Sequence, residues 1–346
     1  MSKHISKFIG WDIGGAHLKA ALLDDSGEVL QVLQLPCQLW KGLEQLEKAI
    51  NNTLHAFKIA PSGASHAVTM TGELVDLFQN RHQGVMEISK LAAKLLGKDT
   101  LFYAANHGLV ALEHVTALTS YIASTNWHAS ASVLAMHASD ALFIDIGSTT
   151  TDIVAIEAGK VKSLNLSDAS RMADDSLVYT GVVRTPVMAL AQKLLFEGQL
   201  VNVAAEYFAT MADVYRLTGE LLPEHDMAET ADGKGKTALK SARRLARMIG
   251  HDVETKPMQT WINLANNCKT LQMNQIKAAI AKHLKPNMTI IGAGAGSFLV
   301  QQIATDLGHA YEPVSMRRTG HALIDMHDLE VCFPAFAVAT LARQHA

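Results

Sequence analysis

A strand–turn–strand pattern occurs twice in this chain and constrains its fold more than anything else in the sequence. WDIGGAHLKAALLDDSGEV begins at Trp11, and IDIGSTTTDIVAIEAGKV begins at Ile144. Superposing the two sets Asp12 on Asp145 and Gly14 on Gly147, a spacing of 133 residues. In each copy an apolar strand ends in Asp-Ile-Gly, turns through small residues and returns as a second apolar strand. A hairpin repeated this way predicts two related lobes.

The segments around the hairpins alternate between strand and helix patterns. FIGWDI, HLKAALLD and EVLQVLQL predict three successive strands separated by GG and DDSG turns. Lys41 to Lys58 carries Leu43, Leu46, Ile50 and Leu54 at helical spacing. SHAVTMT predicts a strand, Glu73 to Leu96 a helical region broken at NRHQG, and LFYAA another strand. Val115 to His137 predicts helix interrupted at Asn126 and Trp127. After Ser139 the order restarts with strands ALFIDIG, TTTDIVAIEAG and KVKSLNL. Thr185 to Leu284 predicts a mostly helical stretch around the polar loop LLPEHDMAETADGKGKT. NMTIIGAGAG then gives a late strand and glycine turn, SFLVQQIATDLG a helix, and PAFAVATLARQHA a closing helix. The expectation is an α/β chain of two lobes around a cleft, each a mixed sheet flanked by helices. Residues 1–138 form the first, with the closing helix 334–346 packing back on it. Residues 139–333 form the second, with a helical insertion at about 185–284.

Composition removes several function classes. A formal net charge of −3 argues against broad binding to nucleic acid or anionic lipid. Cys37, Cys268 and Cys332 lie far apart, with neither zinc spacing nor a disulfide framework. The start MSKHISKFIGWDIGG does not read as a signal peptide, and no apolar run approaches the roughly 18 residues of a membrane span. The cytoplasm is the expected location. Helices between Thr185 and Leu284 offer either a core or a homodimer face.

The hairpin turns carry the candidate chemistry. A short turn of glycine and hydroxyl residues can aim successive N–H groups at phosphate oxygens. Gly14 and Gly15 in the first copy, and Gly147, Ser148, Thr149, Thr150 and Thr151 in the second, are of that type. Asp12, Asp145 and Asp152 offer hard oxygen ligands for a magnesium ion beside the phosphates. An ordinary hairpin with strand-forming threonines and turn-capping aspartates is the alternative. Gly292, Gly294 and Gly296 in IIGAGAGS suit a glycine-floored nucleotide pocket, although Ser297 stands where a dinucleotide fingerprint has its third glycine. Close helix packing is their alternative.

These motifs together resemble the actin, Hsp70 and sugar-kinase superfamily with its ribonuclease H-like, actin-like ATPase fold. Within it the chain is similar to the hydantoinase/oxoprolinase group, and more narrowly to a family linked to tetrahydromethanopterin and methanofuran one-carbon metabolism. The resemblance rests on WDIGGAHLKAA, VTMTGELVDLFQNRHQGV, ASTNWHASA, FIDIGSTTTDIV, YTGVVRTPV, the DMAETADG loop with RRLAR, and IIGAGAG. It implies a magnesium-dependent transfer of a furanmethyl group from its diphosphate to the phenol of glutamyl-tyramine, releasing pyrophosphate. A phosphorylated small-molecule substrate is the implied partner. An ATP-dependent kinase, an ATP-driven amidohydrolase, or a nucleotide-dependent sensor without turnover are the competing implications, and in the first two ATP would be the cofactor. In this setting Glu73 in MTGE is the candidate base for the phenol, with Asp12 its rival. Arg184, Arg243 and Arg244 are candidate anion clamps, against surface salt bridging. Asp226, Glu229 and Asp232 are candidate ligands for a second metal or a substrate amine, against a solvated acidic loop. Asn126 and Trp127 are candidate lining residues, against a buried packing tryptophan.

Overall fold

Strand β1 (Lys7–Ile13) is buried along almost its whole length, as expected of a strand covered on both faces. It pairs antiparallel with β2 (His17–Asp24) and parallel with β4 (Ser65–Met70). With β3 (Val29–Pro36), β5 (Leu101–Tyr103) and β6 (Leu109–Ala111) these strands form a mixed sheet of order β3-β2-β1-β4-β5-β6. The computed structural model describes residues 7–162, 166–317 and 326–346.

Helices cover this sheet because their apolar stripes fit it. Leu43–Phe57 buries Leu46, Ile50, Leu54 and Phe57 at helical spacing. The closing helix Phe333–His345 lies against β1, where Gly10 admits it: a Cβ at Gly10 would stand 1.9 Å from the Ala335 carbonyl oxygen. NRHQG marks the start of the helix Arg81–Leu96, whose first turn Asn80 caps by accepting from Gln83 N–H. Similarly, Asn126 opens the helix Asn126–Ala135 and interrupts nothing.

The second sheet runs β10-β8-β7-β13-β14, built from Leu177–Val178, Thr151–Glu157, Ala141–Ile146, Thr289–Ala293 and Tyr311–Pro313. The two-residue strand β9 (Lys160–Val161) pairs with β8, and residues 163–165 of the expected KVKSLNL strand lie outside the described residues. The stretch read as helical from Thr185 contains instead a hairpin, β11 (Lys193–Phe196) with β12 (Gln199–Asn202). Its turn residues Glu197 and Gly198 both have positive φ, 47° and 84°, as two-residue hairpin turns require. Leu194 and Phe196 point inward while Leu195 is exposed, a period of two hidden in a short apolar run.

The chain divides into two compact units, Met1–Ala141 with Val154–Arg171 and Pro313–Ala346, and Leu142–Ile153 with Met172–Glu312. The first takes up Val154–Arg171, which a boundary at residue 138 assigned elsewhere. Arg81 holds that segment through Asp168 at 2.6 Å, and Arg171 lies 3.9 Å above the Trp127 ring.

Candidate functional site

The sequence echo is also an echo of backbone geometry. Gly14 N–H donates to the His17 carbonyl at 2.9 Å, and Gly147 N–H donates to the Thr150 carbonyl at 2.9 Å. Each closure leaves the intervening N–H groups directed away from the hairpin. Those of Gly15 and Ala16 in one turn, and of Ser148, Thr149 and Thr150 in the other, make no hydrogen bond among the described residues. Successive unpaired N–H groups in a tight turn form a concave site for an anion.

A second segment clasps the later turn. Val182 N–H donates to the Gly147 carbonyl at 3.0 Å, and Val183 and Arg184 N–H donate to the Ser148 carbonyl at 3.1 and 2.8 Å. Gly181 lies so close that a Cβ there would be 2.5 Å from Thr149 N. Gln272, fully buried in the helix Met258–Ile280, fixes that clasp by donating to Thr180 Oγ1 at 2.8 Å and to the Gly181 carbonyl at 2.9 Å. Tyr215 Oη donates to Gln272 Oε1 and so sets which way the amide faces. Burial pushes the Tyr215 pKa up and keeps it a donor. Neither Gln272 nor Tyr215 stands out in the sequence; a glutamine amid apolar helix positions was the only sign.

Below the turn, the closure at Gly147 and Thr150 brings Asp145 of β7 opposite Asp152 of β8. Directly opposed residues share one face of a sheet, and like charges there are destabilising without a counter-ion. Among the described residues no three His, Cys, Asp or Glu side chains are gathered to hold a metal. Two carboxylates still fit magnesium, which keeps waters and takes phosphate oxygens beside one or two protein ligands.

Glu73 occupies the first unit, in a single 3-10 turn (Gly72–Leu74) that follows β4. Thr71 N–H donates to the Ile13 carbonyl at 2.9 Å, which sets this turn beside the first hairpin turn. Gly15 approaches Val75 and Gly72 approaches the Gly14 carbonyl. The Glu73 carboxylate is 1% exposed, its Oε1 accepts from Ser124 Oγ at 2.6 Å, and its Oε2 has no partner among the described residues. Burial pushes its pKa up to about 7, opposed by the Ser124 hydrogen bond and the Arg81 charge. A carboxylate with that proton affinity can accept a proton near neutral pH. Asp12, one strand away, pairs with Lys19 at 3.8 Å.

Other expected residues are placed differently. Thr151 is buried and donates to the Thr180 carbonyl at 2.7 Å, so its hydroxyl serves the sheet and only Ser148, Thr149 and Thr150 remain at the turn. The late glycines each have a packing reason: Gly292 faces Tyr311, Gly294 faces the Asp145 carboxylate and Ile146, and Gly296 faces Ile146 and Val182. Arg244 is fully buried and donates to Asp213 Oδ1 at 2.6 Å and to Asp232 at 3.0 Å. Asp226 receives two hydrogen bonds from Arg216, at 2.6 and 2.7 Å, and Lys236. Asp226 is therefore neutralised by Arg216 of the helix Met211–Thr218 and by Lys236, and Asp232 by Arg244 of the RRLAR helix, so the expected clamp and second metal site become an internal ion network. Arg243 pairs with Glu254 at the surface at 2.6 Å. Trp127 is a buried packing residue under Arg171, and the half-buried Asn126 accepts from Trp127 N–H. Arg184 alone among the expected cations is exposed while its backbone touches the second turn. No described helix is long and apolar enough to cross a membrane.

Comparison with known proteins gives consistent results. Residues 65–319 match the hydantoinase/oxoprolinase family model. The chain is 29% identical over 340 residues, 97% of both chains, to the (4-{4-[2-(gamma-L-glutamylamino)ethyl]phenoxymethyl}furan-2-yl)methanamine synthase of Methanocaldococcus jannaschii. It is 31% identical over 157 residues, 44% of this chain and 70% of the relative, to the protein of that name from Methanococcus vannielii. Among solved structures, nucleotide-free acetone carboxylase aligns with a TM-score of 0.60 at 11% identity, covering 96% of this chain and 69% of that one. Component A of the Acidaminococcus fermentans (R)-2-hydroxyglutaryl-CoA dehydratase aligns with a TM-score of 0.50 at 10% identity, covering 98% of each chain.

Proposed function

Since the chain belongs to the hydantoinase/oxoprolinase family and has an actin-like ATPase fold, we propose that it is a synthase of methanofuran-type cofactor biosynthesis. It joins a furanmethyl diphosphate to the phenol of a glutamyl-tyramine-like acceptor and releases pyrophosphate. The product named for its full-length relative contains this aryl ether, a phenol oxygen joined through a methylene to a furan.

The observation that carries the reading is Glu73, a buried carboxylate beside the first hairpin turn, with one oxygen held and the other without a partner. A phenol with a pKa near 10 is a poor nucleophile at neutral pH until a base takes its proton. Glu73 takes that proton; the phenol oxygen then forms a C–O bond to the furanmethyl carbon. The C–O bond to the diphosphate breaks, and its electron pair leaves with pyrophosphate. Beside Glu73 in the same unit, the Gly15 and Ala16 N–H groups of the first turn, with Lys19, bind diphosphate oxygens and stabilise the charge that develops there. In the second unit, Asp145 and Asp152 would hold magnesium, whose chemistry when bound is to neutralise phosphate charge.

The test is pyrophosphate release with magnesium, a furanmethyl diphosphate and glutamyl-tyramine, each omitted in turn. Release that requires both organic substrates supports the synthase. Hydrolysis of ATP stimulated by a small amide, with no release from the diphosphate, overturns it in favour of an ATP-driven amidohydrolase.

A further inference from the structure

Ser124 is built into the chain in an unfavourable way. Its φ is 53°, in the left-handed region that side-chain-bearing residues seldom adopt outside glycine, asparagine and aspartate. It is buried, and the segment around it is fixed on both sides. Ala123 bridges in parallel to Met70, the last residue of β4, and Thr125 Oγ1 donates to the Ile122 carbonyl at 3.0 Å. The bridge brings Ser124 beside Thr71, Gly72 and Glu73, and the left-handed backbone turns its hydroxyl onto Glu73 Oε1 at 2.6 Å. Strain kept at a buried position beside a candidate base points to a role for the side chain it presents.

We infer that Ser124 is a positioning residue for Glu73: its hydroxyl occupies Oε1, sets the proton affinity of the carboxylate, and leaves Oε2 as the oxygen that receives the acceptor's proton. This rests on the reading of Glu73 as the base. The charged groups facing Glu73 are Arg81, from the helix that packs on it through Gly84, and Asp168. These two are paired with each other at 2.6 Å, so their fields on Glu73 largely cancel. Ser124 is the one side chain that donates a hydrogen bond to Glu73 among the described residues. A donor to a carboxylate favours the charged form, so its removal raises the proton affinity further.

Two substitutions separate positioning from structure. Ser124→Gly and Ser124→Ala both lose the hydroxyl, but only glycine accepts the left-handed backbone without strain. Ser124→Gly is expected to melt no lower than the wild type, and Ser124→Ala below it. The Glu73 carboxyl, followed by carbon NMR of glutamate-labelled protein and assigned with Glu73→Gln, is expected to titrate higher in both by about one unit or more. Pyrophosphate release at pH 7 is expected to fall about tenfold through kcat, with KM unchanged, and to recover at higher pH. An unchanged Glu73 titration in Ser124→Gly overturns the inference. A shifted titration in a protein that releases no pyrophosphate from the two substrates upholds the Ser124–Glu73 coupling and overturns the synthase instead.

Discussion

Lys19 Nζ lies 3.8 Å from Asp12 Oδ2 across the first hairpin, at the register that Asp152 occupies opposite Asp145 in the second. One sequence pattern has thus produced an ion pair in one copy and a carboxylate pair in the other. The first carries a positive charge within the hairpin, where the second offers two carboxylates of the type that hold magnesium. Asp152→Asn is expected to weaken magnesium-dependent binding of pyrophosphate by about 10- to 100-fold and to raise the magnesium concentration needed. Lys19→Met should weaken pyrophosphate without changing the magnesium requirement. Calorimetric titration at several magnesium concentrations distinguishes the two.

Glu73 gives opposite effects on activity and stability. Its folded pKa, about 7, lies above the ordinary carboxylate value, so the folded state holds this proton more tightly than the unfolded state. The associated stability is fully present below the unfolded pKa of 4.5 and is lost as pH rises through 7. Glu73→Gln should therefore abolish pyrophosphate release yet melt roughly 2–5 °C above the wild type at pH 8, with the gain shrinking at pH 5. Melting curves at the two pH values check the sign.

The rate should follow the same group. Ionised Glu73 is the reactive form, so kcat is expected to rise with pH along a limb centred near 7. A limb centred near 4.5, the ordinary value, would remove Glu73 from the role. A pH series of initial rates decides this.

Gln272 connects two helices to the second turn. Gln272→Met keeps the volume but leaves the Gly181 carbonyl, Thr180 hydroxyl and Tyr215 hydroxyl without their partner. Destabilisation of about 2–4 kcal/mol is expected by urea unfolding, with weaker pyrophosphate binding. Hydrogen exchange at Gly181 and Val182 should accelerate alongside.

Arg244 tests the internal network. Arg244→Ala leaves the buried Asp213 with Arg216, at 2.7 Å, as its remaining cation and empties a fully buried guanidinium site, which should cost about 2–4 kcal/mol by urea unfolding. Pyrophosphate affinity in the folded variant should stay that of the wild type, because the guanidinium contacts Asp213, Asp232, the Gly235 carbonyl and Ser241.

The hairpins were legible because everything that defines them is local. Asp-Ile-Gly, the small turn residues and the returning apolar strand sit within one short stretch, and the turn closes on itself. Glu73 was legible as a residue, though its proton affinity was not, since that depends on burial and on Ser124, 51 positions away. Gln272 reaches Thr180 across 92 positions, and no periodicity marks such a contact. The acidic loop misled because sequence shows its charges but not Arg216 and Arg244, which fold onto them. KLLFEGQLVN misled because five apolar residues around one glycine fit helix and hairpin alike until the turn's positive φ is known.

The fit of Ala335 onto Gly10 has a consequence for how this protein is made. The strand at the centre of the first sheet leaves the ribosome long before the helix that covers it, which follows it in the chain by the whole of the second unit. Until Phe333–His345 emerges, β1 has an uncovered apolar face, whereas the second unit has all its chain by Glu312. Domains usually mature in the order they are synthesised. Here the later unit can finish first, and β1 needs shelter until its covering helix arrives.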